Sequence, residues 1–204
     1  VNLLELFAGT RSVGKVAEEM GWNVFSTDLY DFEDIDYVGD VLEFKTSLVP
    51  WTPDVIWASP PCTTFSVASI GTHWTGGKCA YIPKTDEAWR GIEIVRQTLA
   101  IIGHYPEAVW FIENPRGLLR RLSVLSGAPR RETVTYCQYG DSRMKPTDIW
   151  TNCWNWVPRQ RCYNNDPCHV AAPRGSKTGT QGLALVDRSR IPEALCREIL
   201  EAAS

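Results

Sequence analysis

Short apolar runs and longer amphipathic stripes alternate along this chain. Leu3-Leu4-Glu5-Leu6-Phe7, Val55-Ile56-Trp57-Ala58 and Ala108-Val109-Trp110-Phe111-Ile112 are runs of strand length with turn residues at their ends. Such runs predict buried strands. Trp22 to Asp28 predicts a further strand that ends in an acid, and Tyr37 to Val41 a short one reaching Asp40. The stripes have the helical period. Val13, Val16, Ala17 and Met20 share one face, with Gly21 placed for a left-handed helix stop. Ala88, Ile92, Val95, Leu99 and Ile102 share another, behind Thr85 as an N-terminal cap. Leu195, Ile199 and Leu200 form a last stripe after Pro192. Thr133 to Cys137 alternates like a strand, with Asp148-Ile149-Trp150 as its partner.

Strand, turn, helix and strand in that order predict an α/β fold, a doubly wound and mostly parallel sheet. In such a sheet the strand tips lie along one edge, where these folds bind ligands. Asp28, Asp40, Cys62 and Glu113 each follow a strand and therefore converge there. Phe65 to Pro83 has no period and is rich in Gly, Thr and Ser, which predicts an irregular substrate loop. His73 and Cys79 within it read as incidental. Gly175 to Gly182 reads as a flexible basic stretch.

Composition narrows the class. The 204 residues suffice for one domain with a full core, and no linker divides them. No apolar run is long enough to span a membrane, and no signal-like segment precedes the first strand. Seven irregularly spaced cysteines predict free thiols in a reducing cytoplasm, with a metal as the alternative use of some of them. The net charge of −3 hides a division. Residues 1–60 carry 3 Lys/Arg against 11 Asp/Glu, and residues 115–190 carry 13 against 5. The second stretch also holds Tyr136, Tyr139, Trp150, Trp154, Trp156 and Tyr163. A basic, aromatic half predicts a polyanionic partner such as nucleic acid, the alternative being a solvated basic face.

The candidate chemistry centres on Ser59-Pro60-Pro61-Cys62. A strand fixes the position of this cysteine and two prolines stiffen the turn that carries it. A nucleophilic thiol needs that placement, whereas a plain buried cysteine after a proline turn is the structural alternative. Gly9 in a small-residue turn and Asp28 at the next strand's tip suit a nucleoside, the acid accepting a ribose hydroxyl pair. Arg143 and Lys145 suit a phosphate. Cys153, Cys162, Cys168 and His169 lie in a stretch poor in regular structure, where zinc would supply order that a small core cannot. Cys137 is the alternative to Cys153 in that set.

In this order, the residues resemble the DNA cytosine-5 methyltransferases, and in spacing and length the small members carried by phages. Leu6-Phe7-Ala8-Gly9-Thr10 is similar to that family's cofactor turn, Ser59-Pro60-Pro61-Cys62 to its Pro-Cys nucleophile motif and Glu113-Asn114-Pro115 to its Glu-Asn-Val motif. Gln138-Tyr139-Gly140 through Lys145 resembles the basic motif that follows, and Ile191-Pro192 the C-terminal helix motif. The resemblance implies a Rossmann-like S-adenosylmethionine-dependent fold over residues 1–151 and 183–204, with 152–182 as a reduced target-recognition segment. It implies S-adenosylmethionine bound by Phe7, Ala8, Gly9, Thr10, Asp28, Leu29, Asp40, Val41 and Pro60. It implies Cys62, Glu113 and Lys145 as catalytic groups, with Ser66, Asn114, Arg116 and Arg143 on the substrate. It implies double-stranded DNA as partner, a flipped-out cytosine as target, and a bacterial cytoplasm if a phage carries the gene. The family's Gln-x-Arg-x-Arg motif is incomplete here, since Arg143, Lys145 and Thr147 stand in that region and the second Arg is missing. Two alternatives stay open: the same chemistry on RNA or a pyrimidine nucleotide, and a catalytically silent DNA-binding homologue.

Overall fold

The computed structural model describes residues 1–77, 80–171 and 185–204. Cys79 and the Gly175–Gly182 stretch lie outside the described residues, as does the junction at 182–183 between the two expected regions.

The expected parallel core is present. Strands β1 (Asn2–Leu6), β2 (Asn23–Asp28), β3 (Tyr37–Val38) and β4 (Val55–Ala58) lead to a hairpin. That hairpin, β5 (Trp74–Gly76) with β6 (Tyr81–Pro83), forms a separate two-stranded sheet. Strands β7 (Val109–Pro115), β8 (Arg130–Thr135) and β9 (Pro146–Thr151) complete the main sheet, ordered β3-β2-β1-β4-β7-β9-β8. The first five strands of that order are parallel, while β9 runs antiparallel to both of its neighbours. Helices α1 (Ser12–Glu19) and α5 (Glu193–Ala203) cover one face and α3 (Asp86–His104) the other, with short α2 (Ile70–His73) and α4 (Leu185–Ser189) at the periphery.

Strand pleating sorts the core into two layers. Leu4, Leu6, Ile56, Ala58 and Ile112 face α3, whereas Leu3, Val55, Trp57 and Phe111 face α1 and α5. Both faces are covered, which is why β4 is buried at every position. The three helical stripes dock as their spacing predicts, and the Thr85 hydroxyl accepts the Ala88 N–H at 3.3 Å. Gly21 has φ +79° at the end of α1, as a left-handed stop requires.

Three boundaries differ from expectation. The third strand stops at Val38, two residues before Asp40. The alternating run at Thr133–Cys137 belongs to β8 only as far as Thr135, and Tyr136–Tyr139 turns into a 3-10 helix because the chain leaves the sheet edge there. The supposed irregular loop contains α2 and the β5–β6 hairpin, whose Trp74 is buried against Phe65 with ring centroids 5.9 Å apart.

One buried carboxyl links the first three elements. Glu5 points between α1 and β2, where its Oε1 accepts the Val13 N–H at 3.2 Å and its Oε2 the Ser26 hydroxyl at 3.2 Å. A Cβ on Gly14 would lie 2.5 Å from that Oε2, so only glycine lets α1 approach this closely. Burial pushes the Glu5 carboxyl up to about 7, against the opposing pull of those hydrogen bonds and of Arg11. The folded state therefore holds a proton that the unfolded chain loses near pH 4.5, so this group's contribution to stability is full below that pH and is lost as pH rises toward 7. Glu5→Gln is expected to remove a pH-dependent loss of about 3 kcal/mol across that window. Urea unfolding of both proteins at pH 5 and pH 8 checks this: the wild type loses stability relative to the variant on going to the higher pH.

Candidate active site

Strand register assembles the site. Thr27, Leu6, Ala58 and Ile112 form one row across β2, β1, β4 and β7. The next residue on each strand is therefore Asp28, Phe7, Ser59 and Glu113, and all of them emerge along one edge. Because β9 is antiparallel, its start lies at that same edge, bringing Lys145 beside the tip of β7, where Pro115 pairs with Thr147. The end of β8 is there too, with Thr135 paired to Pro146, so Tyr136 and Cys137 join the edge.

The turn after β1 is built from left-handed residues, with φ of 59° at Phe7, 51° at Gly9 and 57° at Arg11. A Cβ on Gly9 would meet nothing within 4 Å, so the turn has an open face. Asp28 spans the gap to β2: its Oδ2 accepts the Gly9 N–H at 2.8 Å and its Oδ1 the Tyr30 N–H at 3.0 Å. Ala8 and Thr10 are half-buried in the turn, Leu29 is exposed beside it and Val41 is buried. Asp40 caps the following turn through the Leu42 N–H at 3.1 Å and also pairs with Arg90 of α3.

Cys62 is half-buried on a loop held from four directions. Buried Asn114 donates its amide to the Pro60 carbonyl at 2.9 Å. The Leu118 N–H reaches the Phe65 carbonyl at 2.7 Å, and the Trp74 indole N–H reaches the Thr64 carbonyl at 2.7 Å. Glycines allow two backbone approaches: a Cβ on Gly117 would sit 2.4 Å from the Phe65 carbonyl, and one on Gly91 would sit 2.8 Å from the Thr64 hydroxyl. The Ser66 hydroxyl donates to Ser69 at 3.0 Å, within the same loop.

Three polar groups are buried beside this loop. The Tyr136 hydroxyl donates to Glu113 Oε1 at 3.1 Å. The Lys145 ammonium lies 4.5 Å from the centre of the Tyr136 ring and donates to the Arg188 carbonyl at 2.8 Å. Burial raises the Glu113 carboxyl, while Lys145, Tyr136 and the Ser59 hydroxyl favour its charged form. Burial lowers the Lys145 ammonium, while Glu113 and Cys62 hold it up. Burial and the Glu113 charge both push the Cys62 thiol up, and Lys145 opposes them. The three groups are thus electrostatically coupled, and neutralising Glu113 eases ionisation of Cys62.

Several sequence-predicted residues are placed differently from their expected use. Asn114 is fully buried and clamps the cysteine loop through the Pro60 carbonyl. Arg143 is occupied by Asp141, with Nε to Oδ1 at 2.8 Å, and donates to the Asp187 carbonyl at 3.1 Å. Cys153 leaves the proposed metal set. It follows β9, which runs away from the tip edge, and its Sγ faces the Ala202 carbonyl of α5 at 3.5 Å. Cys137 gathers instead with Cys162, Cys168 and His169, their ligand atoms all within 4.8 Å of one another. Arg116 is exposed. Sequence reading missed Tyr136, Ser59 and the glycines at 91 and 117. No local pattern marks these positions, since Gly91 and Gly117 each simply follow an arginine and Tyr136 lies in an apparent strand.

Comparison with known proteins places this architecture. The chain is 32% identical to the "Probable DNA (cytosine-5)-methyltransferase" of Frog virus 3, over 218 aligned positions covering 98% of this chain and 99% of the relative. It belongs to the DNA cytosine-5 methyltransferase family. No protein-family model matches it. Among solved structures, a protein described as a DNA modification methyltransferase encoded within an E. coli prophage superposes with a TM-score of 0.54 at 13% identity, over 79% of this chain and 52% of that one. DNMT2 of Spodoptera frugiperda aligns over 84% of this chain and 57% of its own length at 16% identity, with a TM-score of 0.46. The chain thus spans nearly all of its viral relative but only about half the length of these solved structures. The prophage protein shares the fold, a Rossmann-like methyltransferase α/β architecture. Among the described residues, no helix is long and apolar enough to cross a membrane.

The clamp on the cysteine loop carries a testable cost. Asn114→Ala strands the buried Pro60 carbonyl without a donor and is expected to destabilise the protein by about 1–3 kcal/mol. Urea unfolding measures it, and a change below about 0.5 kcal/mol would show that the loop is held without this bond.

Proposed function

We propose that this family member methylates C5 of cytosine in DNA through a covalent adduct on Cys62. The observation that carries the reading is the row of strand tips that sets a half-buried thiol beside a buried Glu113–Tyr136–Lys145 group, across from an open glycine turn closed by Asp28.

The turn and its acid fit S-adenosylmethionine. The open face at Gly9 admits a ligand against the backbone, and Asp28 stands at the strand tip where a ribose hydroxyl pair would be accepted. Phe7, Ala8, Gly9 and Thr10 would hold the methionine part, Asp28 and Leu29 the ribose, Asp40 and Val41 the adenine, and Pro60 the side nearest the thiol. When bound, the cofactor supplies an electrophilic methyl group.

The chain's own residues do the rest. Cytosine C5 is a weak nucleophile. The Cys62 thiolate adds to C6, forming an S–C6 bond and turning C5 into an enamine carbon that can take a methyl group. Glu113, raised by burial and so inclined to hold a proton, donates to N3 as negative charge develops on the ring. Before that transfer, the protonated carboxyl lacks the charge that pushes the Cys62 thiol up. Lys145 anchors the carboxylate partner electrostatically but cannot form a guanidinium fork. After methylation a water molecule takes the C5 proton, whose electron pair restores the 5,6 double bond and expels the thiolate, while N3 returns its proton to Glu113. A base stacked in a duplex cannot reach Cys62, so the target is flipped out.

Exposed Arg116, Arg131 and Arg161 lie near half-buried Arg120, whose guanidinium is held down by burial and by those three charges and held up by Asp148. Arg120 is paired to Asp148 at 3.3 Å, leaving a cluster of arginines beside the tip of β7 to take phosphates. The viral relative's name and this cluster favour DNA over a free nucleotide.

Two experiments test the reading. Incubation with 5-fluorocytosine DNA and S-adenosylmethionine is expected to give a methylated adduct on Cys62 by intact mass and peptide mapping. Cys62→Ser is expected to abolish turnover and adduct while S-adenosylmethionine binding stays within about twofold. Equal loss of binding and turnover would remove Cys62 from the chemistry. The double variant Arg116→Ala/Arg161→Ala is expected to weaken DNA binding without regard to sequence and to shallow the slope of log affinity against log salt by roughly 2. An unchanged slope would place the DNA elsewhere.

A further inference from the structure

We propose that Cys137, Cys162, Cys168 and His169 form a structural zinc site that fastens the short recognition segment to the catalytic edge. The metal site stands on geometry alone; its link to catalysis rests on the function proposed above.

The four ligands come from two places. Cys137 sits in the 3-10 turn that follows β8, and the other three come from the segment after β9. The Sγ atoms of Cys137 and Cys168 are 3.6 Å apart, and His169 Nδ1 lies 3.7 Å from Cys162 Sγ and 3.6 Å from Cys168 Sγ. A tetrahedral zinc with sulfur at about 2.3 Å and nitrogen at about 2.0 Å has ligand–ligand edges of roughly 3.5–3.8 Å. The Cys137–Cys162 edge is shorter, at 3.0 Å, and opens when a cation separates the two sulfurs. All described cysteines are free thiols. A pair that merely formed a disulfide would leave no reason for Cys168 and His169 to converge on the same point. The Gln138 side-chain N–H points at Cys168 Sγ at 3.3 Å, the kind of outer donor that steadies a metal-bound thiolate.

The segment needs such a tie. Trp156 is buried and anchors its beginning, but Trp154, Val157, Tyr163 and Val170 are 69%, 78%, 65% and 73% exposed. From Gln160 to Ala171, hydrophobic burial offers Cys162 and little else. Three thiolates and one imidazole in tetrahedral reach select a soft, non-redox cation, zinc above calcium or magnesium. Binding replaces three S–H protons, which are released to solvent, and leaves the site with a net charge of about −1.

The site holds two functional neighbours. Cys137 follows Tyr136, whose hydroxyl donates to Glu113, and Cys162 follows Arg161 of the arginine cluster. One metal would therefore set the catalytic carboxylate's support and a phosphate contact together.

The test uses the full chain, expressed with zinc and purified without chelator. About one zinc per chain is expected by mass spectrometry of the metal, and cobalt exchange is expected to give the visible bands of a tetrahedral site with three sulfur ligands and one nitrogen. Cys168→Ser and His169→Ala, the two less buried ligands, are expected to lose most of the metal, while Cys153→Ser keeps it. Alkylation mapping of the native wild type is expected to show Cys137, Cys162 and Cys168 protected with zinc and reactive after chelation. A wild type that takes up no zinc, a Cys137–Cys162 disulfide in the mass map, or a metal lost from Cys153→Ser but kept in Cys168→Ser would each overturn the proposal. None of these readouts depends on methyl transfer.

Discussion

Register across the parallel strands is the constraint on which the rest depends. Leu6 pairs with both Thr27 and Ala58, and Ala58 with Ile112. A slip of one residue in β4 would turn its buried side chains to the wrong layer and withdraw Cys62 from the row. Burial on both faces makes such a slip costly, so the hydrophobic core holds the chemistry in place. The antiparallel β9 completes the arrangement by returning Lys145 and Tyr136 to the same edge.

Beside that edge the protein accepts an electrostatic conflict. Glu113, Lys145 and Tyr136 are buried together, where burial disfavours the charged forms of the carboxyl and the ammonium while each sustains the other's charge. A thiol placed next to an anionic Glu113 is harder to ionise, and one placed next to a protonated Glu113 ionises more readily. The order of proton transfer and attack in the proposed reaction follows from that coupling. The loop bearing Cys62 is correspondingly rigid, held by an amide, an indole, a backbone N–H and two glycine approaches.

The segment after β9 follows a different logic. Its described residues, through Ala171, are largely exposed and irregular after Trp156, yet they neighbour both Tyr136 and the arginine cluster. Of the basic stretch, Arg120, Arg130, Arg143 and Arg159 are drawn into ion pairs with Asp148, Glu132, Asp141 and Glu198. The positive half of the chain is thus partly structural, while Arg116, Arg131 and Arg161 are exposed.

By itself, the sequence determined the parallel α/β sheet, the three amphipathic helices and the strand tips that carry Asp28, Cys62 and Glu113. These features are local: apolar runs of strand length, helical stripes and the residue just past each run. Tertiary structure decided what depends on strand direction and on contacts between distant segments. Thr133–Cys137 alternates throughout, but only its pairing with β9 ends the strand at Thr135 and turns Tyr136 toward Glu113. Cys153 is the expected ligand by sequence and Cys137 its alternative, and the antiparallel course of β9 reverses that order by carrying Cys153 to the far edge of the sheet. Asn114 and Arg143 are polar residues beside a motif, and nothing in the order of residues reveals that one is fully buried on Pro60 and the other occupied by Asp141. Period and composition report which face of an element is buried; they carry no information about which distant group meets it there.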